Sequence, residues 1–185
     1  MSLHMWRRCV PGLVVATVLA GLGLATISSD GSRADSTPAP DGPKLHAPRS
    51  GHDAALLNDG QVLLTGGRGP DGPLSDAELF DPGKRLFSPA PQAHSLRFPR
   101  HDHRTVALPG GSLLTLGGDG GQGPLDMAEV AAATGEVAAW FSAQEGRSGH
   151  TATLLLDGRV LILGGRAASG AFLRDAEIFE PTLAG

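Results

Sequence analysis

"RSGHDAALLNDGQVLLTGG", residues 49–67, holds two short apolar runs joined by Asn58-Asp59-Gly60 and closed by a double glycine. Apolar runs of four or five residues around an Asx-Gly turn are the mark of a β-hairpin, because glycine supplies the positive φ that a tight turn needs. The same arrangement returns twice, as "RHDHRTVALPGGSLLTLGG" at 100–118 and "RSGHTATLLLDGRVLILGG" at 147–165. In all three the turn glycine (Gly60, Gly111, Gly158) follows the histidine (His52, His103, His150) by eight residues. The double glycine (Gly66-Gly67, Gly117-Gly118, Gly164-Gly165) begins six residues later. Arg49, Arg100 and Arg147 each stand three residues before the histidine.

The copies extend further. An Ala-Glu pair carrying Glu78, Glu129 or Glu177 trails the second glycine by 11, 11 and 12 residues. It opens "AELFDP" and "AEIFEP" in the outer copies, short strands stopped by a proline that cannot donate to a ladder. A fourth run, "KRLFSP" or "GEVAAWFSA", follows in the first two copies only. The histidines are 51 and then 47 residues apart, and a repeat near 50 residues is the period of propeller blades.

These features resemble kelch repeats, including the divergent kind in the galactose oxidase central domain. Arg-x-x-His, the turn glycine, apolar-Gly-Gly and Ala-Glu-apolar-Phe all match, over about residues 49–181. The match is loosest in the middle unit, where Ala131 stands at the position of Phe80 and Phe179. Phe87 replaces the fourth-strand tryptophan in the first unit, and Trp140 is its candidate in the second. The resemblance implies an all-β chain: a partial kelch-type β-propeller of three four-stranded antiparallel blades, the last lacking its fourth strand. The units are 49–99, 100–146 and 147–185. The copper-radical chemistry of galactose oxidase needs tyrosine ligands and a tyrosine–cysteine cross-link; this chain has no tyrosine.

One stretch offers a competing reading. Gly118-x-Gly120-x-x-Gly123 follows an apolar run, as in a dinucleotide-binding turn, and "LDMAEVAAATGEVAAW" favours helix locally. Register decides against it: Gly117 and Gly118 fall where Gly66-Gly67 and Gly164-Gly165 fall, and those copies lack the motif. Strands are therefore expected across residues 127–139, with tertiary context overriding propensity. The calcium-binding nonapeptide pattern fails too, since Gln122 or Leu125 stands where its aspartate belongs.

Before the repeats, Arg7 and Arg8 precede "VPGLVVATVLAGLGLATI" and a small-polar stretch, the order of a secretory signal. Residues 1–34 are expected to be a signal peptide, cleaved after Ala25 or Ala34, or a retained helical anchor. The protein is then secreted, periplasmic or otherwise extracytoplasmic. Cys9, the only cysteine, lies in this segment, leaving the rest without thiol, disulfide or cysteine metal site. Residues 35–48, with four prolines, read as a linker. The chain has 27 glycines and 14 prolines in 185 residues, too turn-rich for a helical bundle. Its net charge of −4 becomes −6 without residues 1–34, so nucleic acid is not an expected partner.

No catalytic constellation stands out and no cofactor is expected. His101 and His103 would share a face of a regular strand and are the only candidate metal ligands. His103 also holds the repeat register, so structural hydrogen bonding is the leading expectation for it, as for His52 and His150. The arginines are expected to bond the neighbouring blade. Functional surface is left to the loops "RGPDGPLSD", "DGGQGPLD" and "RAASGAFLRD", which differ over a repeated scaffold. The expected role is a non-catalytic module binding a protein or glycan. The alternatives are a truncated carbohydrate-directed or metal-dependent enzyme using His101 and His103, and the relic of a longer kelch protein. Three blades cannot close a ring, so bare apolar end faces are expected, covered in a homodimer with a six-bladed ring or left by truncation.

Overall fold

The computed structural model describes residues 42–181; the expected signal or anchor and residues 35–41 of the expected linker lie outside them. Among the described residues there is no α-helix, only two single 3-10 turns, Gln92–His94 and Pro109–Gly111. None of them forms a helix long and apolar enough to cross a membrane.

The chain is all-β. β1 (Asp53–Leu56) and β2 (Val62–Thr65) form the first hairpin, and a two-residue hairpin of β3 (Arg68–Gly69) and β4 (Gly72–Pro73) follows. β5 (Ala77–Asp81) and β6 (Leu86–Pro89) complete an antiparallel sheet of order β1-β2-β5-β6. The second sheet contains β7 (Arg104–Ala107), β8 (Leu113–Leu116), β9 (Met127–Ala131) and β10 (Val137–Ser142) in sequential order. The third contains β11 (Thr151–Leu154), β12 (Val160–Leu163) and β13 (Ala176–Phe179). Residues 127–139 are thus strand, turn and strand, with an irregular register between Val137 and Ala139.

The three leading hairpins are copies in their hydrogen bonds as well as in sequence. Leu57, Leu108 and Leu155 donate across the turn to Gln61, Ser112 and Arg159, at 2.8, 2.8 and 2.7 Å. Gly60, Gly111 and Gly158 hold φ of 84°, 88° and 86°, a left-handed conformation that a side chain would strain.

The sheets pack face to face in chain order, with β7 lying beside both β1 and β11. Side chains alternate, so each strand presents one face forward to the next sheet and one back to the previous. The forward face of the first sheet (Ala55, Leu63, Ala77) packs on Leu113 of the second, with Ala107 and Ala131 at the margin. The forward face of the second (Leu114, Leu116, Ala128) packs on Val160 and Ile162 of the third. Phe141 and Phe179 stack across that second joint, with centroids 4.7 Å apart and planes 10° from parallel. Each fully buried leucine here contributes about 2 kcal/mol by leaving water.

Candidate functional site

The repeat signature condenses into one unit of bonding per sheet. In the second sheet, Arg100 is fully buried; its Nη1 donates to the carbonyls of Gly117 (3.0 Å) and Met127 (2.9 Å). Its Nη2 donates to Glu129 Oε1 at 2.5 Å, and the amides of Arg97 and Phe98 donate to the same carboxylate. In the first sheet Arg49 bonds Gly66 O and Glu78 (2.8 Å), and the amides of His46 and Ala47 donate to Glu78. In the third, Arg147 bonds Gly164 O and pairs with Glu177. The arginine therefore ties the edge of its own sheet together, not the neighbouring one as the sequence suggested.

Burial pushes the Glu78 carboxyl up, but the two amides and Arg49 outweigh it and hold it below the ordinary carboxylate range. Arg100 is lowered by burial, against which Glu129 acts. A pair this enclosed contributes less net stability than its contacts suggest, yet loss of one partner strands a buried charge.

The histidines make the contact between sheets. His103 Nε2 lies 3.0 Å from Thr65 Oγ1 of the first sheet, and Thr65, Thr105 and Thr115 hydroxyls continue the chain at 2.9 and 3.0 Å. His150 points at Gly117 of the second sheet, where Leu116 replaces Thr65, and neither of its ring nitrogens finds a partner. Burial, then the nearby arginines, lowers His103 to about 3 and His150 to about 4, so both are neutral near pH 7. His103 and His150 thus both project onto the sheet before their own, but of the two only His103 makes the hydrogen bond that the sequence led one to expect.

The double glycine is explained by the same joint. A Cβ on Gly66 would sit 2.6 Å from the Arg100 carbonyl oxygen, and one on Gly117 2.5 Å from that of Arg147. Gly67 and Gly118 donate their amides to those two oxygens, at 2.9 and 2.8 Å. The motif around Gly118 has no anion cradle to offer: Asp119 Oδ1 already accepts from Gly121 (2.7 Å) and Gly123 (3.3 Å). The dinucleotide reading fails on its own amides.

His101 and His103 are not brought together. Asp102 takes a φ of 53° and breaks the strand alternation that would have placed them on one face. His101 turns back onto Asp102, Nδ1 to Oδ2 at 2.8 Å, while His103 is spent on Thr65. Among the described residues no three of His, Cys, Asp and Glu gather around a metal-sized space. A cavity of about 20 Å³ beside Thr65, Thr115 and Glu129 has room for one water and no more. An open dish of about 440 Å³ lies between Pro109, the Asp157–Arg159 pair and Glu180. Asp157 and Arg159 neutralise each other there (2.7 Å).

The varied loops leave the sheets along a continuous rim. Ser50 pairs with Arg68, His101 with Asp119 and Ser148 with Arg166, each through two main-chain bonds of 2.7–3.1 Å. Asp102 N to Gly51 O (2.7 Å) and Gly149 N to Asp102 O (2.9 Å) join these pairs into one row. Beyond it stand Arg68, Asp71, Arg174 and Phe172, the last 87% exposed. The sequence reading missed one part of the repeat: "LHAPR" (45–49) matches "LRFPR" (96–100), both supplying the amide pair that caps the glutamate. Spacing from the arginine would have found it, but the prolines made residues 35–48 look like a linker. Scanned against protein-family models the chain matches none, and a search of the curated proteins finds no match.

Proposed function

We propose that residues 42–181 are a segment of a kelch-type β-propeller acting as a non-catalytic recognition module, with a protein or a glycan as its ligand. The observation that carries this is the division of labour among side chains. The repeated arginines and glutamates are consumed by one another and the buried histidines are held neutral. The unlike loops, by contrast, emerge side by side with their charged and aromatic groups in solvent. An exposed Phe172 between Arg166 and Arg174 is the kind of aromatic anchor that dominates recognition surfaces. The kelch reading is supported by the recurrence of the same inter-sheet bonds at both joints. Export rests on residues 1–34 alone, and the N-terminal residue of the extracytoplasmic protein tests it.

Binding of the full chain to a glycan array and a protein array, beside an Arg68→Ser, Phe172→Ser, Arg174→Ser variant, tests the function. The expected result is a ligand class retained by the parent and weakened at least tenfold, about 1.4 kcal/mol, in the variant. No ligand above background, or one indifferent to the loops, overturns the reading. For the fold, an experimental structure in which the sheets translate along a line, without turning about one axis, would do so.

A further inference from the structure

The two inter-sheet joints use the same main-chain contacts, and the outer faces of the terminal sheets hold the two halves of a third. At each joint the second glycine of the earlier sheet donates to the arginine carbonyl of the later one: Gly67 to Arg100, Gly118 to Arg147. The residue two after that arginine donates back: Asp102 to Gly51, Gly149 to Asp102. Continuing this series leaves the Gly165 amide and the Gly149 carbonyl without partners among the described residues at the forward end. At the back end it leaves the Arg49 carbonyl and the Gly51 amide. One donor and one acceptor face each way, and they match.

The side chains agree. Leu116 and Ala128, on the forward face of the second sheet, are both 3% exposed. Leu163 and Ile178, on the forward face of the third, are 42% and 45% exposed. On the back face of the first sheet Leu56 is 64% exposed, and His52 Nδ1 has no partner. A Cβ on Gly164 would meet only Leu173 O at 3.5 Å, where Gly66 and Gly117 are crowded by an arginine carbonyl. Among the described residues nothing fills the space that a following Arg-x-x-His unit would take.

We propose that a second copy of this chain fills it head to tail, its first sheet on the forward face of the third, and the reverse at the other joint. Both halves of the contact are on one chain, so the association is heterologous, and closure after two chains with two equal joints is part of the proposal. The proposal rests on the sheet-stacking reading above and not on any loop ligand.

Analytical ultracentrifugation and native mass spectrometry of the full-length chain are expected to show a two-chain species. Ile178→Asp, on the forward face, and Leu56→Asp, on the back face, change side chains that water already reaches in the single chain. Each variant alone is expected to be a folded monomer by circular dichroism. Mixed in equal amounts they are expected to pair, because the Leu56→Asp chain keeps its forward face and the Ile178→Asp chain its back face. A monomeric parent, a ladder of larger species, or a dimer indifferent to both substitutions overturns the proposal. Loop-ligand binding measured on the monomeric variants is independent of the joint, so the two readings fail separately.

Discussion

The first and second sheets meet through a chain of hydroxyls ending on His103; the second and third meet through Leu116, Ile162 and the Phe141–Phe179 stack, with His150 bare. The main-chain bonds at the two joints are nonetheless the same pairs within 0.2 Å. The lesson is that the spacing of these sheets is set by backbone and by the Arg–Glu ties within each sheet. The side chains between them are free to be polar or apolar, provided that volume is kept. At the polar joint the hydroxyls partner one another and His103 Nε2, leaving His103 Nδ1 unpartnered; the apolar joint leaves both ring nitrogens of His150 bare, which burial tolerates only while the ring is neutral.

The largest effect is expected from the ties themselves. Glu129→Gln leaves Arg100 charged and fully buried, and is expected to lower stability by about 3–5 kcal/mol in chemical denaturation. Glu177→Gln, at a carboxylate 18% exposed and without amide donors among the described residues, is expected to lower it by about 1 kcal/mol. Equal losses would mean that the third sheet is as closed as the second. Arg100→Met with Glu129→Leu should recover most of the single-variant loss.

Acid should separate the histidines next. Folded pKa values of about 3 and about 4 lie below the unfolded value of about 6.5, so the unfolded chain binds protons first as pH falls. Their contribution is complete above pH ~6.5 and declines down to the folded values, by on the order of 1 kcal/mol per pH unit for each ring. Glu78, lowered in the fold, adds a loss of the same sign below its unfolded pKa of ~4.5. Urea midpoints from pH 7 to 4 read this directly, and His103→Gln should flatten the curve. A midpoint independent of pH would show that neither ring is buried.

Smaller changes exchange the characters of the joints. Thr65→Val removes the His103 hydrogen-bond partner and is expected to cost about 1–2 kcal/mol. Leu116→Thr offers His150 the missing partner at the expense of apolar contact, with a net change within about 1 kcal/mol. If Leu116→Thr is as damaging as a core truncation, the joints are not interchangeable. Phe172→Ala, on an exposed loop, is expected to alter the melting midpoint by less than the equivalent of about 0.5 kcal/mol.

Much of this was written in spacing. Eight residues from His52 to Gly60 and six more to Gly66 specify a hairpin of one length, and the structure repeats it three times. The roles inside the signature were less legible. Arg100 and Glu129 are 29 residues apart, and nothing in their order says whether the arginine reaches its own third strand or the adjacent sheet. Asp102 at φ 53° undid the pairing of His101 and His103 because alternation along a strand holds only while the backbone is extended.

Sequence alone determined the main strands and their turns here, because these depend on local backbone preference and on a repeated spacing of apolar runs and glycines that can be counted. Only the tertiary structure decided which sheet each long or buried side chain serves, and which faces are left uncovered. Those depend on how the stacked sheets bring distant residues within hydrogen-bonding reach, and on what remains for water once they have.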